Sequence, residues 1–174
     1  MEAILRREFM VNKTACRAFG VGAFILLTAL GGFVRIPLPF TPVPITLQTF
    51  FVLLAGAFLG RNLGMLAQGI YLVLSVAGFG LTSGYFIGFV VAAFFTGSLV
   101  RYCGKNFFLT FGVFCLADLV LLLCGTLWLK LCFSYSFPQL LMMGLVPFIP
   151  GDILKAFAAA VVYQKLSGRV KEIF

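Results

Sequence analysis

Phe107-Phe-Leu-Thr-Phe-Gly-Val-Phe-Cys-Leu-Ala-Asp118-Leu-Val-Leu-Leu-Leu-Cys-Gly-Thr-Leu-Trp-Leu129 is the longest apolar run of the chain, interrupted by a single acid. As a helix it is long enough to cross a hydrocarbon core of ~30 Å. Trp128 and Lys130 close it in the manner of an interface, an indole at the boundary and a lysine free to snorkel. On both sides of this run, further apolar blocks of about 17–24 residues recur, each near spanning length. Across the 174 residues, 62% are hydrophobic and 10% charged. Soluble domains hold roughly 45–50% apolar and about 25% charged residues. Segments that alternate apolar-out and polar-in, as in a transmembrane barrel, are absent.

The expected fold is all-α: a polytopic membrane bundle forming one domain over 1–174. Six transmembrane helices are expected over about 18–34, 45–60, 63–80, 84–100, 107–129 and 150–166, with a short extra helix at 137–145 before the last. A basic N-terminal segment, 1–17, precedes the bundle, and a basic tail, 167–174, follows it. The first apolar block reads as a retained span rather than a cleaved signal. Thr46 is expected to cap the second helix, and Arg61-Asn62 to form the turn into the third.

The net charge of +8 suggests nucleic acid until its placement is considered. With both termini in the cytoplasm, the inner segments collect Arg6, Arg7, Lys13, Arg17, Arg61, Arg101, Lys105, Lys165, Arg169 and Lys171, ten of the thirteen cations. Arg35, Lys130 and Lys155 fall near the outer side. That asymmetry follows the positive-inside rule and implies a cytoplasmic-membrane protein in contact with lipid, not nucleic acid. Five cysteines, without a C-x-x-C pair and without any histidine, argue against a metal centre; they suit small buried positions.

Two segments resist simple helix. Residues 35–48, Arg-Ile-Pro-Leu-Pro-Phe-Thr-Pro-Val-Pro-Ile-Thr-Leu-Gln, hold four of the seven prolines, each of which fixes φ and removes a backbone donor. Pro147-Phe-Ile-Pro-Gly-Asp-Ile-Leu-Lys155 opens the last span, with Pro150 and Asp152 suited to a helix start. Both segments fall on the outer side, and non-helical backbone at membrane depth is tolerated where it lines a cavity. Asp152 and Lys155, three residues apart, share one helix face. They either pair with each other at the interface or bind a small ligand carrying both N–H groups and oxygens. Tyr71, Tyr85 and Trp128 are candidate walls of such a pocket, and Arg35, Thr46 and Gln48 are candidate contacts from the proline-rich segment.

Catalysis finds little support. There is no G-x-x-x-x-G-K-[ST] loop for ATP and no recognisable nucleophile motif. Asp118, in mid-span, is either a proton-relay residue or a polar contact between helices. Ala18, Gly20, Gly22 and Ala23 in the first span allow close helix approach, either inside the bundle or to another membrane protein.

Pro42-Val-Pro-Ile-Thr-Leu-Gln48, Leu54-Ala-Gly-Ala-Phe-Leu-Gly60, Tyr71-Leu-Val-Leu, Gly84-Tyr-Phe-Ile-Gly88 and Phe148-Ile-Pro-Gly-Asp-Ile-Leu-Lys155 occur in an order that resembles the BioY family. These are the biotin-binding S components of energy-coupling factor (ECF) transporters. The resemblance covers about residues 18–166. It implies capture of biotin on the outer face, with no cofactor of the chain's own. It also implies a transmembrane coupling protein and two cytoplasmic ATPases as partners, which alone use ATP. On this resemblance Asp152 and Lys155 match the family's ligand-binding pair, and Ala18 and Gly22 are the nearest equivalents of its docking face on the first helix.

One departure stands out. The family's long glycine-rich loop between the third and fourth spans is reduced here to Gly78-Phe-Gly-Leu-Thr-Ser-Gly84. A lost charge-assisted hydrogen bond costs ~1.5–3 kcal/mol, or roughly one to two decades of affinity. Two other readings therefore stand beside biotin uptake. One is a solitary facilitator or non-binding relative, and the other a small intramembrane enzyme using Asp118 or Asp152.

Overall fold

The computed structural model describes residues 2–75 and 80–171, the side chains of 2–12 and 169–171 excepted. The side chains of Arg6, Arg7, Arg169 and Lys171, the start of the short connection through Phe79, and the end of the tail at 172–174 thus lie outside the described residues. In chain order the elements are α1 (Glu2–Gly31), β1 (Arg35–Ile36), β2 (Ile45–Thr46), α2 (Gln48–Leu74), α3 (Ser83–Leu99), a 3₁₀ turn (Val100–Tyr102), α4 (Phe107–Cys132), α5 (Phe137–Gly144) and α6 (Ile149–Lys171).

The expected second and third spans form one element, α2, broken at Gly60. There φ is 76° and ψ 176°, a region that is essentially glycine's alone. The break is a reversal. A Cβ built on Gly64 would lie 2.8 Å from the Gly56 Cα, although eight residues of straight helix rise ~12 Å. Gly97 of α3 leaves the room for this turn, because a Cβ there would run into the backbone of Gly60 and Arg61. The turn is therefore made by Gly60, and Arg61-Asn62 already belongs to the second arm. Arms of about 12–14 residues (48–59 and 61–74) rise ~18–21 Å, short of the ~30 Å hydrocarbon core.

Among the described residues, four helices pass for a membrane crossing by length and composition alone: Lys13–Gly31, Gln48–Leu74 (the folded α2), Ser83–Tyr102 and Phe107–Cys132. α5 and α6 meet at a 45° bend and together supply a fifth. The six separate spans expected thus count as five by this measure, because the second and third are folded from one element, and as four when the bent α5–α6 pair is left out. The first helix also starts earlier and ends three residues sooner than 18–34. The short helix before the last span is present as α5, entered through a capping box in which Ser136 and Gln139 bond reciprocally, with a proline in its first turn.

The molecule is mostly helical, with one short ladder beside the helices. Within the proline-rich lid, Arg35 pairs with Thr46 and Ile36 with Ile45 in a short antiparallel ladder. The prolines all fall between these pairs, so neither strand loses a donor. Thr46 therefore does not cap α2. The helix starts at Gln48, and its N-cap position, Leu47, makes no side-chain cap bond. The Leu47 N–H is instead satisfied by the Gly31 and Val34 carbonyls at 3.1 and 3.2 Å, tying the lid's exit to the end of α1.

The core forms where α2, α3, α4 and α6 meet. On α4 the buried residues Thr110, Phe114, Ala117, Asp118, Leu121, Leu122, Gly125, Thr126 and Leu129 follow a three-and-four spacing, one stripe of a helix. On α6 the matching stripe is Asp152, Ala156, Ala159, Ala160 and Tyr163. Helices in lipid gain little from excluding water and associate through close packing, which the alanines permit. The stripe carries Asp152 at its top, and that residue leads to the site.

Candidate ligand-binding site

A cavity of about 370 Å³ opens between the lid and the tops of α2, α3, α4 and α6. Its size lies within the ~300–1,000 Å³ typical of small-molecule sites. Tyr71, Tyr85, Phe86, Phe89 and Phe148 form an aromatic wall, and Leu121 and Leu122 continue it on α4. Polar groups gather at the other side: Gln48, Thr49, Asp152 and Lys155, with Arg35 and Thr46 arriving from the lid.

Thr46, Gln48, Thr49, Asp152 and Lys155 are each held by a side-chain partner. α6 opens with Asp152 in its first turn, where the helix dipole favours an acid. The i,i+3 spacing brings Lys155 Nζ to Asp152 Oδ1 at 2.5 Å, an ion pair whose side chains are 12% and 5% exposed. Lys155 Nζ also donates to Thr49 Oγ1 at 3.1 Å, joining α6 to the start of α2. Gln48 Nε2 donates to the Tyr71 hydroxyl at 2.5 Å, clasping the two arms of α2. The Thr46 hydroxyl donates to Gln48 Oε1 at 3.2 Å, linking lid to floor. Tyr85 is oriented by donation to the Gly144 carbonyl at 2.7 Å. Gly125 makes room for its ring, since a Cβ at 125 would overlap it.

Asp152 Oδ2 is buried and has no protein partner. A buried carboxylate oxygen left unpaired is costly and is usually satisfied by something. Here the carboxylate adjoins the cavity, with an ammonium beside it. The arrangement can accept N–H groups from a ligand and donate to a ligand oxygen, against a wall of rings.

Of the residues singled out in the sequence, Arg35, Thr46, Gln48, Tyr71, Tyr85, Asp152 and Lys155 all line this cavity. Trp128 does not. It lies two turns beyond Leu121 on α4, and its Nε1 donates to the Gly80 carbonyl at 3.2 Å. Its side chain packs over Gly84 at the start of α3. Trp128 thus holds the short connection before α3 in place, helped by Ser83 Oγ, which bonds both the amide and the carbonyl of Gly80. That connection still brings Thr82 to the cavity. Thr49, Phe86, Phe89 and Phe148 are wall residues that sequence reasoning missed as contacts. Thr49 follows directly on the PVPITLQ segment, and the phenylalanines lie within or beside motifs whose polar members drew the attention.

Outside the site, α1 packs on α2 through Val21, Phe24 and Ile25 and through Thr28, which accepts from Gln68 Nε2 at 3.1 Å. Ala18 is exposed, and a Cβ built on Gly22 would meet nothing within 4 Å. Neither is used in this internal contact.

A family model, BioY family, matches residues 10–172. A probable biotin transporter BioY of Pyrococcus horikoshii is 38% identical over 162 residues, covering 85% of this chain and 94% of that protein. The biotin transporter BioY of Thermotoga maritima is 30% identical, covering 83% and 92%. Among solved structures, the S-component for biotin from an ECF-type ABC transporter superposes with a TM-score of 0.79 at 26% identity, covering 92% of this chain and 93% of that one. The apolar helices and these relatives together make this a multi-pass membrane protein. On this agreement the chain belongs to the BioY family.

Proposed function

We propose that this chain captures biotin at the outer face of the cytoplasmic membrane and serves its uptake as the substrate-binding S component of an ECF-type transporter. The observation that carries the reading is the buried Asp152–Lys155 pair at the cavity, with one carboxylate oxygen unpartnered. Biotin presents two ureido N–H groups, a ureido carbonyl and a carboxylate. Asp152 accepts ureido N–H, Lys155 donates to a ligand oxygen, and the aromatic wall packs against the fused rings. Gln48, Thr46 and Arg35 contribute from the lid side, with Tyr71 and Tyr85 as wall residues. No step in this function makes or breaks a bond of the ligand, so the reading is a transport subunit and not an enzyme.

The chain sits in the membrane as one domain with six helical passes, the two short arms of α2 counting as two. Both termini face the cytoplasm, where most of the cations fall. A transmembrane coupling protein and two cytoplasmic ATPases complete the transporter, and ATP is used by those partners alone. Ala18 and Gly22 suit the docking face on α1, since both are small and neither is occupied by the chain's own packing.

Calorimetric titration of the detergent-purified protein with biotin tests the reading. One-site binding is expected, with ATPase subunits co-purifying when the neighbouring components are co-expressed. Absence of biotin binding by the wild-type protein overturns it. Binding without any associated ATPase would point to a solitary facilitator.

A further inference from the structure

Three charged residues line the cavity: Arg35, Asp152 and Lys155. Asp152 and Lys155 meet in an ion pair, and Lys155 also holds Thr49. Arg35 differs, because among the described residues its guanidinium makes no hydrogen bond and no ion pair. Its backbone is nonetheless placed. Arg35 lies opposite Thr46 in the lid ladder, and directly opposed residues of a ladder set their side chains on one face. That face is the cavity's, since both residues line it and Thr46 bonds Gln48 there.

Among the described residues no other cation is open to this wall. The chain carries no charged residue between Arg61 and Arg101, so the connection before α3, which brings Thr82 to the cavity, offers no charge. Lys130 donates to the Tyr135 carbonyl at 2.9 Å and does not line the cavity. Biotin carries its carboxylate at the end of an alkyl chain, away from the ureido ring. With the ureido N–H groups on Asp152, that carboxylate is repelled by the acid and needs a cation elsewhere. A guanidinium is a planar fork that meets a carboxylate with two parallel bonds.

We infer that Arg35 takes the ligand's carboxylate and makes the site selective for the free acid over uncharged derivatives of the same ring system. The assignment rests on the proposed function. It gives the lid a bond to the ligand itself, so that a ligand held at the floor also holds the lid.

Calorimetry with biotin and with biotinamide, whose carboxylate is replaced by a neutral amide, tests the assignment on the wild type and on Arg35→Gln. The wild type is expected to bind biotin about tenfold more tightly than the amide, as one charge-assisted bond would give. Arg35→Gln is expected to bind biotin about tenfold more weakly than the wild type and the amide nearly as well, so that the preference closes. Stopped-flow should show the lost affinity as faster biotin dissociation. Equal weakening of both ligands by Arg35→Gln would mean a disturbed lid and overturns the inference. A wild type that binds both ligands equally overturns it too, although the functional reading then stands. A preference kept by Arg35→Gln and lost in Lys155→Ala moves the carboxylate to the floor, again against the inference. If the wild type binds neither ligand, the functional reading falls and the inference falls with it.

Discussion

The floor of the cavity rides on α6, where Asp152, Ala156, Ala159 and Ala160 are buried in the bundle. The lid, by contrast, leaves Arg35, Ile36, Pro37, Pro39, Phe40 and Pro42 exposed and buries Thr41 and Val43. The floor is fixed by helix packing and by an ion pair that reaches a second helix through Thr49. The lid is held by two paired residues on each side, by the Leu47 amide, and by proline stiffness. A lid so lightly tethered can open without disturbing the bundle, and a floor so deeply packed cannot shift without disturbing it. Affinity and chemistry therefore belong to the floor, and entry and release to the lid.

The sharpest way to break this division is Lys155→Ala. It strands a buried carboxylate, at about 3–5 kcal/mol of fold stability, and it removes the donor to a ligand oxygen, a charge-assisted bond worth ~1.5–3 kcal/mol, so the biotin Kd should rise roughly 10- to 100-fold by calorimetry. A loss under tenfold would take the floor out of its leading role. Gln48→Ala, at the joint between the two regions, removes the bond to Tyr71 and the acceptor of Thr46. Its expected effect is about tenfold in Kd, from two bonds of ~0.5–1.5 kcal/mol each. In the lid, Pro37→Ala with Pro39→Ala loosens exposed chain, at ~0.4–1 kcal/mol per proline. Stopped-flow should show biotin dissociating a few-fold faster, and dissociation at the wild-type rate would mean that the prolines do not stiffen the lid. Smallest of all, Trp128→Phe should leave Kd within about twofold, because the indole packs behind α3 and not in the cavity. A larger change would return Trp128 to the site.

Much of this was legible in the sequence because membrane burial and proline act locally. The apolar blocks, the short helix 137–145, the position of the proline-rich segment and the Asp152–Lys155 spacing all follow from neighbours in the chain. What escaped depended on geometry between distant residues. The turn was read at Arg61-Asn62 because polar residues suggest turns, yet the reversal needed one residue at positive φ, and Gly60 supplied it. The ladder in the lid was hidden because the prolines drew attention from the proline-free pairs flanking them. Trp128 lies on the same stripe as the cavity-lining Leu121, and only the placement of Gly84 and Gly80 decides where its ring goes.

The central claim is that Asp152 recognises ureido N–H. The measurement that meets it most directly is a cycle of Kd values for biotin and a ureido N-methylated biotin, on the wild type and on Asp152→Asn. On the wild type, methylation should weaken binding roughly 10- to 100-fold, the worth of a hydrogen bond to a charged acceptor. On Asp152→Asn, already weakened for biotin, methylation should add little further loss. An equal methylation penalty on both proteins would contradict the account.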